Sequence, residues 1–218
     1  MLHNTVIMKT LSILLTILLI SCGKPTRFEH PDVSKSTEET VYWPAKKLPV
    51  TIKVPKEKFE KFQEIYTEVQ EEYAEAAGRP LFKFISDDKN ISLKNFSESK
   101  EIKGSNYLMF KEDDKTFLDL NLPTMGITQV VWFVPSMQIF QAQIVINFSK
   151  SEMDLSLFKE VLLHELGHFL GFNHVANEDS IMGEFIDHSL PGLRDFDLER
   201  IRKKYAKKPF RNSTLAIQ

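Results

Sequence analysis

Apolar residues recur along the first part of the chain with two different periods. Residues 48–54 alternate between apolar and polar positions, which predicts a β-strand that ends at Pro55. The next apolar positions lie three or four residues apart, as on one face of an α-helix; they are Phe59, Phe62, Tyr66, Val69 and Tyr73. Gly78 and Pro80 end this pattern. The sequence therefore predicts a strand followed by a long amphipathic helix.

The rest of the chain contains further short β-type runs and two helical segments. The runs cover residues 81–85, 107–111, 127–134 and 141–148, and polar stretches with glycine or proline separate them. Helices are predicted over residues 155–170 and 197–205, the second with Asp195 or Asp197 as its N-cap. This order of elements predicts an α+β fold with a mixed sheet of four or five strands.

The N-terminal 21 residues have the character of a targeting signal. Residues 11–20 read LSILLTILLI, which is short for a transmembrane helix and typical of the apolar region of a secretory signal. The tetrad Leu19-Ile20-Ser21-Cys22 resembles the lipobox of bacterial lipoproteins, whose cysteine is acylated and becomes the first mature residue. We therefore expect a lipoprotein signal peptide over residues 1–21 and lipidation of Cys22. The alternative is an uncleaved N-terminal anchor, which leaves the domain on the same side of the membrane.

A polar segment separates this signal from the rest of the chain. Residues 22–40 contain two prolines and no apolar period, which predicts a flexible tether. The domain proper is expected over residues 41–210. Acyl chains on Cys22 would hold it in the bacterial cell envelope, on the periplasmic face, the outer membrane or the cell surface.

Composition narrows the possible partners. The formal net charge of −2 and a pI near 6.3 provide no basic footprint for nucleic acid, so no nucleic-acid partner is expected. Cys22 is the single cysteine, which excludes an intramolecular disulfide. We expect one domain, monomeric, whose stability comes from packing and from a metal ion.

The chemistry is concentrated in residues 164–174, which read HELGHFLGFNH, an HExxHxxGxxH pattern. On a helix His164 and His168 lie one turn apart on the same face, so both imidazoles can bind one zinc ion. Gly171 allows the positive φ of a sharp turn, which would bring His174 back as the third ligand. Three neutral histidines leave the fourth zinc position open for water, and Glu165 is placed to take a proton from that water.

These residues resemble the metzincin metallopeptidases, and the spacing resembles the matrixin branch. Ser180-Ile181-Met182-Gly183 corresponds to the methionine turn of that group, with Met182 eight residues beyond His174. Residues 125–129 look like the edge strand that binds substrate in matrixins. The resemblance implies a metzincin-like α+β domain, one catalytic zinc held by His164, His168 and His174, Glu165 as the catalytic base and Met182 as the structural floor.

The sequence also departs from the matrixin pattern. Matrixins usually have serine after the third histidine, where this chain has Val175. The loop over residues 134–140 is short and lacks histidine and aspartate, so we expect neither a structural zinc nor a calcium site of the family type. The family's pro-segment cysteine has no counterpart either, because Cys22 is assigned to lipid.

Several weaker signals leave alternatives open. Glu160 either forms an acidic wall of the substrate pocket, together with residues 183–193, or faces solvent. Asp187 and His188 either orient substrate or belong to a surface loop. The basic run from Arg200 to Arg211 either touches anionic lipid or an acidic partner, or forms an ordinary solvated face.

Taken together, the residues favour a zinc-dependent endopeptidase that hydrolyses peptide bonds with metal-activated water. Its partner would be an extended peptide that adds a strand to the edge of the sheet. One alternative is a membrane-tethered binding or adhesion lipoprotein that keeps a zinc-stabilised fold without turnover. A second is hydrolysis of another amide, such as a peptidoglycan crosslink. An intact Glu165 favours the enzyme.

Overall fold

The computed structural model describes residues 18–23, 41–89, 104–111, 124–133, 136–148, 153–177, 179–183 and 192–206. These residues form an α+β fold with one mixed sheet, as predicted. In chain order its elements are β1 (Leu18–Gly23), β2 (Val50–Pro55), α1 (Lys56–Lys61), α2 (Gln63–Ala77), β3 (Phe82–Asp87), β4 (Asn106–Lys111), β5 (Thr124–Phe133), β6 (Gln138–Asn147), α3 (Leu155–Phe169) and α4 (Asp195–Tyr205). A short 3₁₀ helix, Ala45–Lys47, precedes β2.

The sheet has the strand order β1-β5-β6-β4-β2-β3. The pairs β2–β3, β2–β4 and β4–β6 are parallel, whereas β5 is antiparallel to both β6 and β1. Five strands come from the domain, within the four or five that the sequence predicts. The sixth, β1, lies in the segment assigned to the signal peptide and the start of the tether. That assignment, like the domain boundaries, stays a prediction.

The helix predicted after β2 is interrupted once. Phe62, with φ −118° and ψ 20°, separates α1 from α2, although the apolar spacing continues across the break. Its side chain is buried among aromatic rings, with centroids 4.6 Å from Phe158 and 5.4 Å from Phe148. Gly78 ends α2 in the left-handed conformation, at the position where the sequence predicts the end of the helix.

Helix α3 lies against β5 and β6 and is the most buried element that carries candidate chemistry. The Asp154 carboxylate accepts a hydrogen bond from the Leu157 N–H at 2.8 Å and caps its first turn. From Val161 to Phe169 every residue is buried, so both faces of this stretch pack against protein. Polar side chains in the segment are therefore held in fixed surroundings.

The start of the domain packs against the end of α3. The Trp43 indole N–H donates to the Phe169 carbonyl at 2.8 Å, and the Trp43 backbone N–H donates to the Tyr205 hydroxyl at 3.1 Å. Tyr205 in turn donates to the Leu170 carbonyl at 2.6 Å. Three segments far apart in sequence, the domain entry, the end of α3 and α4, are thus joined by direct hydrogen bonds.

Among the described residues, no helix combines the length and the apolar character needed to cross a bilayer. Residues 1–17 and 24–40 lie outside the described residues, so the flexible tether remains an expectation.

Candidate metal centre

Three histidines meet at the C-terminal end of α3. His164 and His168 are completely buried, one turn apart on the helix, and His174 follows in the loop after it. Their Nε2 atoms form a nearly equilateral triangle, with 3.0 Å between His164 and His168, 3.1 Å between His164 and His174, and 3.0 Å between His168 and His174. A tetrahedral zinc with bonds of roughly 2.0–2.1 Å separates its ligand nitrogens by about 3.3 Å. The triangle therefore has nearly the size that zinc requires.

The orientation of the rings supports a metal rather than a hydrogen-bonded cluster. His164 Nδ1 lies 2.6 Å from the Ile181 carbonyl, and His168 Nδ1 lies 2.8 Å from the Phe172 carbonyl. A carbonyl only accepts, so both Nδ1 atoms carry the proton and both Nε2 atoms present lone pairs. Two lone pairs 3.0 Å apart repel each other unless a cation lies between them and the third nitrogen. This donor set fits a zinc ion.

The protonation states agree with this arrangement. Burial, followed by the neighbouring His174, lowers the pKa of His164 to about 3, and burial lowers that of His174 to about 4. The pKa of His168 is lowered as well, first by burial and then by the other two histidines. All three imidazoles are neutral at pH 7, the form that binds metal.

Gly171 makes the turn that brings His174 to the other two ligands. Its φ is 81°, as the sequence predicts, and its N–H donates to the His168 carbonyl at 2.8 Å. A Cβ at this position would also overlap the Val41 carbonyl. Glycine is required here both by its positive φ and by the close approach of the Val41 backbone.

Met182 lies in the turn Ser180–Gly183 and packs against α3 at Gly167. It is 2% exposed, and a Cβ on Gly167 of α3 would overlap its sulfur. The same turn supplies the Ile181 carbonyl that orients His164. Val175 pairs with Gly183, and its N–H donates to the Met182 carbonyl at 3.0 Å. The residue that departs from the matrixin pattern therefore makes a backbone contact with the turn.

Asp197 fixes this turn from α4. Its carboxylate accepts from the Ser180 hydroxyl at 2.5 Å, from the Ile181 N–H at 2.8 Å and from the Arg194 N–H at 3.3 Å. Neither Asp195 nor Asp197 is the N-cap that the sequence predicts, because α4 begins at Asp195 and Arg194 is the N-cap. Asp197 is buried in the first turn and connects the helix to the methionine turn.

Glu165 is fully buried beside the histidines but is not one of the grouped ligands. Its carboxylate accepts from the Thr128 hydroxyl of β5 at 2.5 Å. Among the residues that the structure describes, His164, His168 and His174 form the one group arranged to hold an ion.

The sequence profile of the matrixin family, Peptidase_M10, matches residues 57–206, which include the three histidines, Glu165 and Met182. The chain belongs to the matrixin family. It is thus a member of a family of zinc-dependent metallopeptidases. No curated protein matches the sequence at a significant level.

Two basic residues of this matrixin's α4 hold the loop that carries the third histidine. Arg200 donates to the Asn173 carbonyl at 3.1 Å, and its guanidinium lies 5.1 Å from the Phe172 ring centre. Lys204 donates to the Gly171 carbonyl at 2.6 Å. Arg200 and Lys204 are half-buried, whereas Arg202 and Lys203 are exposed, and a contact of the basic run with anionic lipid or an acidic partner stays a prediction. Spacing within one helix could not reveal a contact with a loop some 30 residues earlier.

Replacing Arg200 should weaken zinc binding without removing a ligand. We expect Arg200→Ala to bind zinc about tenfold more weakly, because residues that position a metal ligand typically contribute that much to affinity. Competition with a chromogenic zinc chelator measures the effect. Lys203→Ala, an exposed lysine on the same helix, is the matched control and should leave affinity unchanged. Equal weakening in both variants would assign the effect to net charge.

The structure describes some of the other candidate residues of the sequence and leaves others outside the described residues. Glu160 is 3% exposed, so the alternative that it faces solvent is wrong, while its role in the substrate pocket stays a prediction. Asp187 and His188 lie outside the described residues. Cys22 lies in β1 opposite Gly126, and its lipidation also stays a prediction. The contacts of Thr128 with Glu165 and of Arg200 with Asn173 were not predicted, because neither residue belongs to the local HExxHxxGxxH pattern.

Proposed function

We propose that the protein is a zinc-dependent endopeptidase. The observation that carries the proposal is the triangle of three neutral imidazole nitrogens next to the buried carboxylate of Glu165. His164, His168 and His174 would hold a zinc ion, which would supply a Lewis acid that lowers the pKa of a water molecule and polarises the scissile carbonyl. Glu165 accepts the proton of the attacking water and passes it to the nitrogen of the leaving amine.

Strand β5 is the element on which we propose that substrate binds. In the structure β1 adds to its edge in antiparallel orientation, with Ile20 opposite Thr128 and Cys22 opposite Gly126. This edge thus accepts an extended chain directly beside Glu165. Removal of residues 1–21, as the lipoprotein assignment requires, takes away residues 18–21 and opens this edge to a peptide.

The test is zinc-dependent cleavage of a quenched fluorescent peptide library by the chain from residue 23 onward. We expect about one zinc per molecule, loss of cleavage after chelation, and recovery when zinc is restored. Zinc binding without cleavage would favour the tethered binding protein or the hydrolase of another amide. A protein that binds no zinc would contradict the site itself.

We also propose that Cys22 carries the lipid that anchors the protein in the cell envelope. The support is the apolar run over residues 11–20 followed by Ser21 and Cys22. Expression in a bacterial host with radiolabelled palmitate should label the protein and place it in the membrane fraction. Cys22→Ser should remove both the label and the processing after residue 21. Membrane association of an unlabelled wild-type protein would favour the uncleaved anchor.

A further inference from the structure

The catalytic glutamate packs against a neighbouring strand. Thr128 of β5 is 0% exposed, and its hydroxyl lies 2.5 Å from Glu165 Oε2 and 3.1 Å from the Glu165 backbone carbonyl. A hydroxyl has one proton to donate, and the separation of 2.5 Å makes Glu165 Oε2 its acceptor. Thr128 therefore holds one carboxylate oxygen and lies close to the backbone of the same residue.

Gly126 lies two residues before Thr128 on the same face of β5 and also contacts the Glu165 side chain. A Cβ at this position would lie 2.5 Å from Glu165 Oε1 and 2.8 Å from Glu165 Cδ and Cγ. These separations are far below van der Waals contact, so any side chain at 126 would displace the carboxylate. The glycine is required by this close approach, since its φ lies outside the positive region.

We infer that Gly126 and Thr128 are positioning residues for Glu165 and together set the orientation of its carboxylate. A glutamate has three rotatable bonds, and a base must lie within hydrogen-bond reach of the proton that it abstracts. Thr128 engages Oε2, and Gly126 leaves room for Oε1 against the strand. The Glu165 carboxylate held in this way takes the proton from the breaking water O–H bond and later passes it to the amine nitrogen.

Strand β5 connects the proposed binding of the peptide to the proton transfer by Glu165. Gly126 and Thr128 lie opposite Cys22 and Ile20 in the pairing of β5 with β1, and the same two residues contact the Glu165 side chain. A peptide bound on β5 is therefore aligned by the same residues that orient Glu165. A shift of β5 would misplace substrate and base together.

The test compares Thr128→Val with Thr128→Ser, and it rests on the proposed peptidase function. Valine keeps the shape of threonine and removes the hydroxyl, so we expect kcat to fall roughly 10- to 100-fold while KM and zinc content stay unchanged. Serine restores the hydroxyl and should recover most of kcat. Thr51→Val, a half-buried threonine on β2, is the matched control and should cleave like wild type.

A second readout does not depend on turnover. Crystal structures of metal-free Thr128→Val and Gly126→Ala should show the Glu165 carboxylate moved from its position against β5. An unchanged kcat in Thr128→Val, or an unmoved carboxylate in both variants, would overturn the inference. Loss of zinc in Thr128→Val would overturn it as well, because the residue would then support the ligands. If wild type itself binds zinc and cleaves nothing, the proposed function fails, and the crystal structures still decide the positioning role.

Discussion

Glu165→Gln is expected to lose peptide cleavage while keeping its zinc. The amide preserves the shape of the buried side chain but cannot accept the proton of the attacking water, so kcat should fall about 10³-fold. The three ligand nitrogens lie on other residues, and the variant should therefore bind about one zinc per molecule. Steady-state kinetics on a quenched peptide, together with metal analysis of the same sample, measure both quantities.

Helix α3 offers a matched control for this variant. Glu160 lies on the same helix, more than one turn before Glu165, and is nearly as buried, but it is outside the group of ligands. Glu160→Gln removes a carboxylate from the same helix and should change kcat by less than tenfold, whereas a role of Glu160 in the substrate pocket would change KM. Residual cleavage in Glu165→Gln within tenfold of wild type would remove Glu165 from the role of base.

Asp197→Ala is expected to have the largest effect on stability. The substitution leaves the Ser180 hydroxyl and two backbone N–H groups without their carboxylate acceptor in a buried place. Unsatisfied buried donors cost about 1–3 kcal/mol each, partly relieved by relaxation, so the free energy of unfolding should fall by about 3 kcal/mol. That corresponds to a Tm lower by roughly 6–12 °C, measured by calorimetry.

Asp195→Ala separates this effect from the favourable interaction of an acidic side chain with the N-terminus of α4. Asp195 lies in the first turn of α4 and is exposed, so its removal should cost less than about 1 kcal/mol. Zinc affinity should also fall in Asp197→Ala alone, since the turn that it fixes provides the carbonyl that orients His164. Equal Tm values for the two variants would refute the role given to Asp197.

The ligand set could be predicted from the sequence because its geometry is local. His164 and His168 are one helical turn apart, and Gly171 specifies the turn toward His174, so spacing along the chain determines spacing in space. The methionine turn depended on a resemblance, because nothing in local periodicity connects Met182 to a helix that ends at Phe169. Most strands and helices were likewise predicted to within a few residues.

Contacts between distant segments could not be predicted in this way. Thr128 meets Glu165 across 37 residues, and Arg200 meets Asn173 across 27 residues. A buried carboxylate such as Asp197 has the same sequence signature as an exposed N-cap, because both are acidic residues at the start of a helix. Their roles depend on tertiary packing, which a pattern in a single sequence does not encode.

The hydrogen bonds of Trp43 determine what a cut between the proposed lipid anchor and the domain would do to the metal loop. A cut within residues 24–40 would leave Trp43 bound to Phe169 and Tyr205, and Val41 against Gly171, so a released domain would keep its metal loop intact. A cut after Trp43 would separate residues 41–43 from the domain, and the loop that carries His174 would lose their contacts. If the proposed lipid anchor is present, the position of the cut would decide whether the released domain keeps the loop that carries His174 in place.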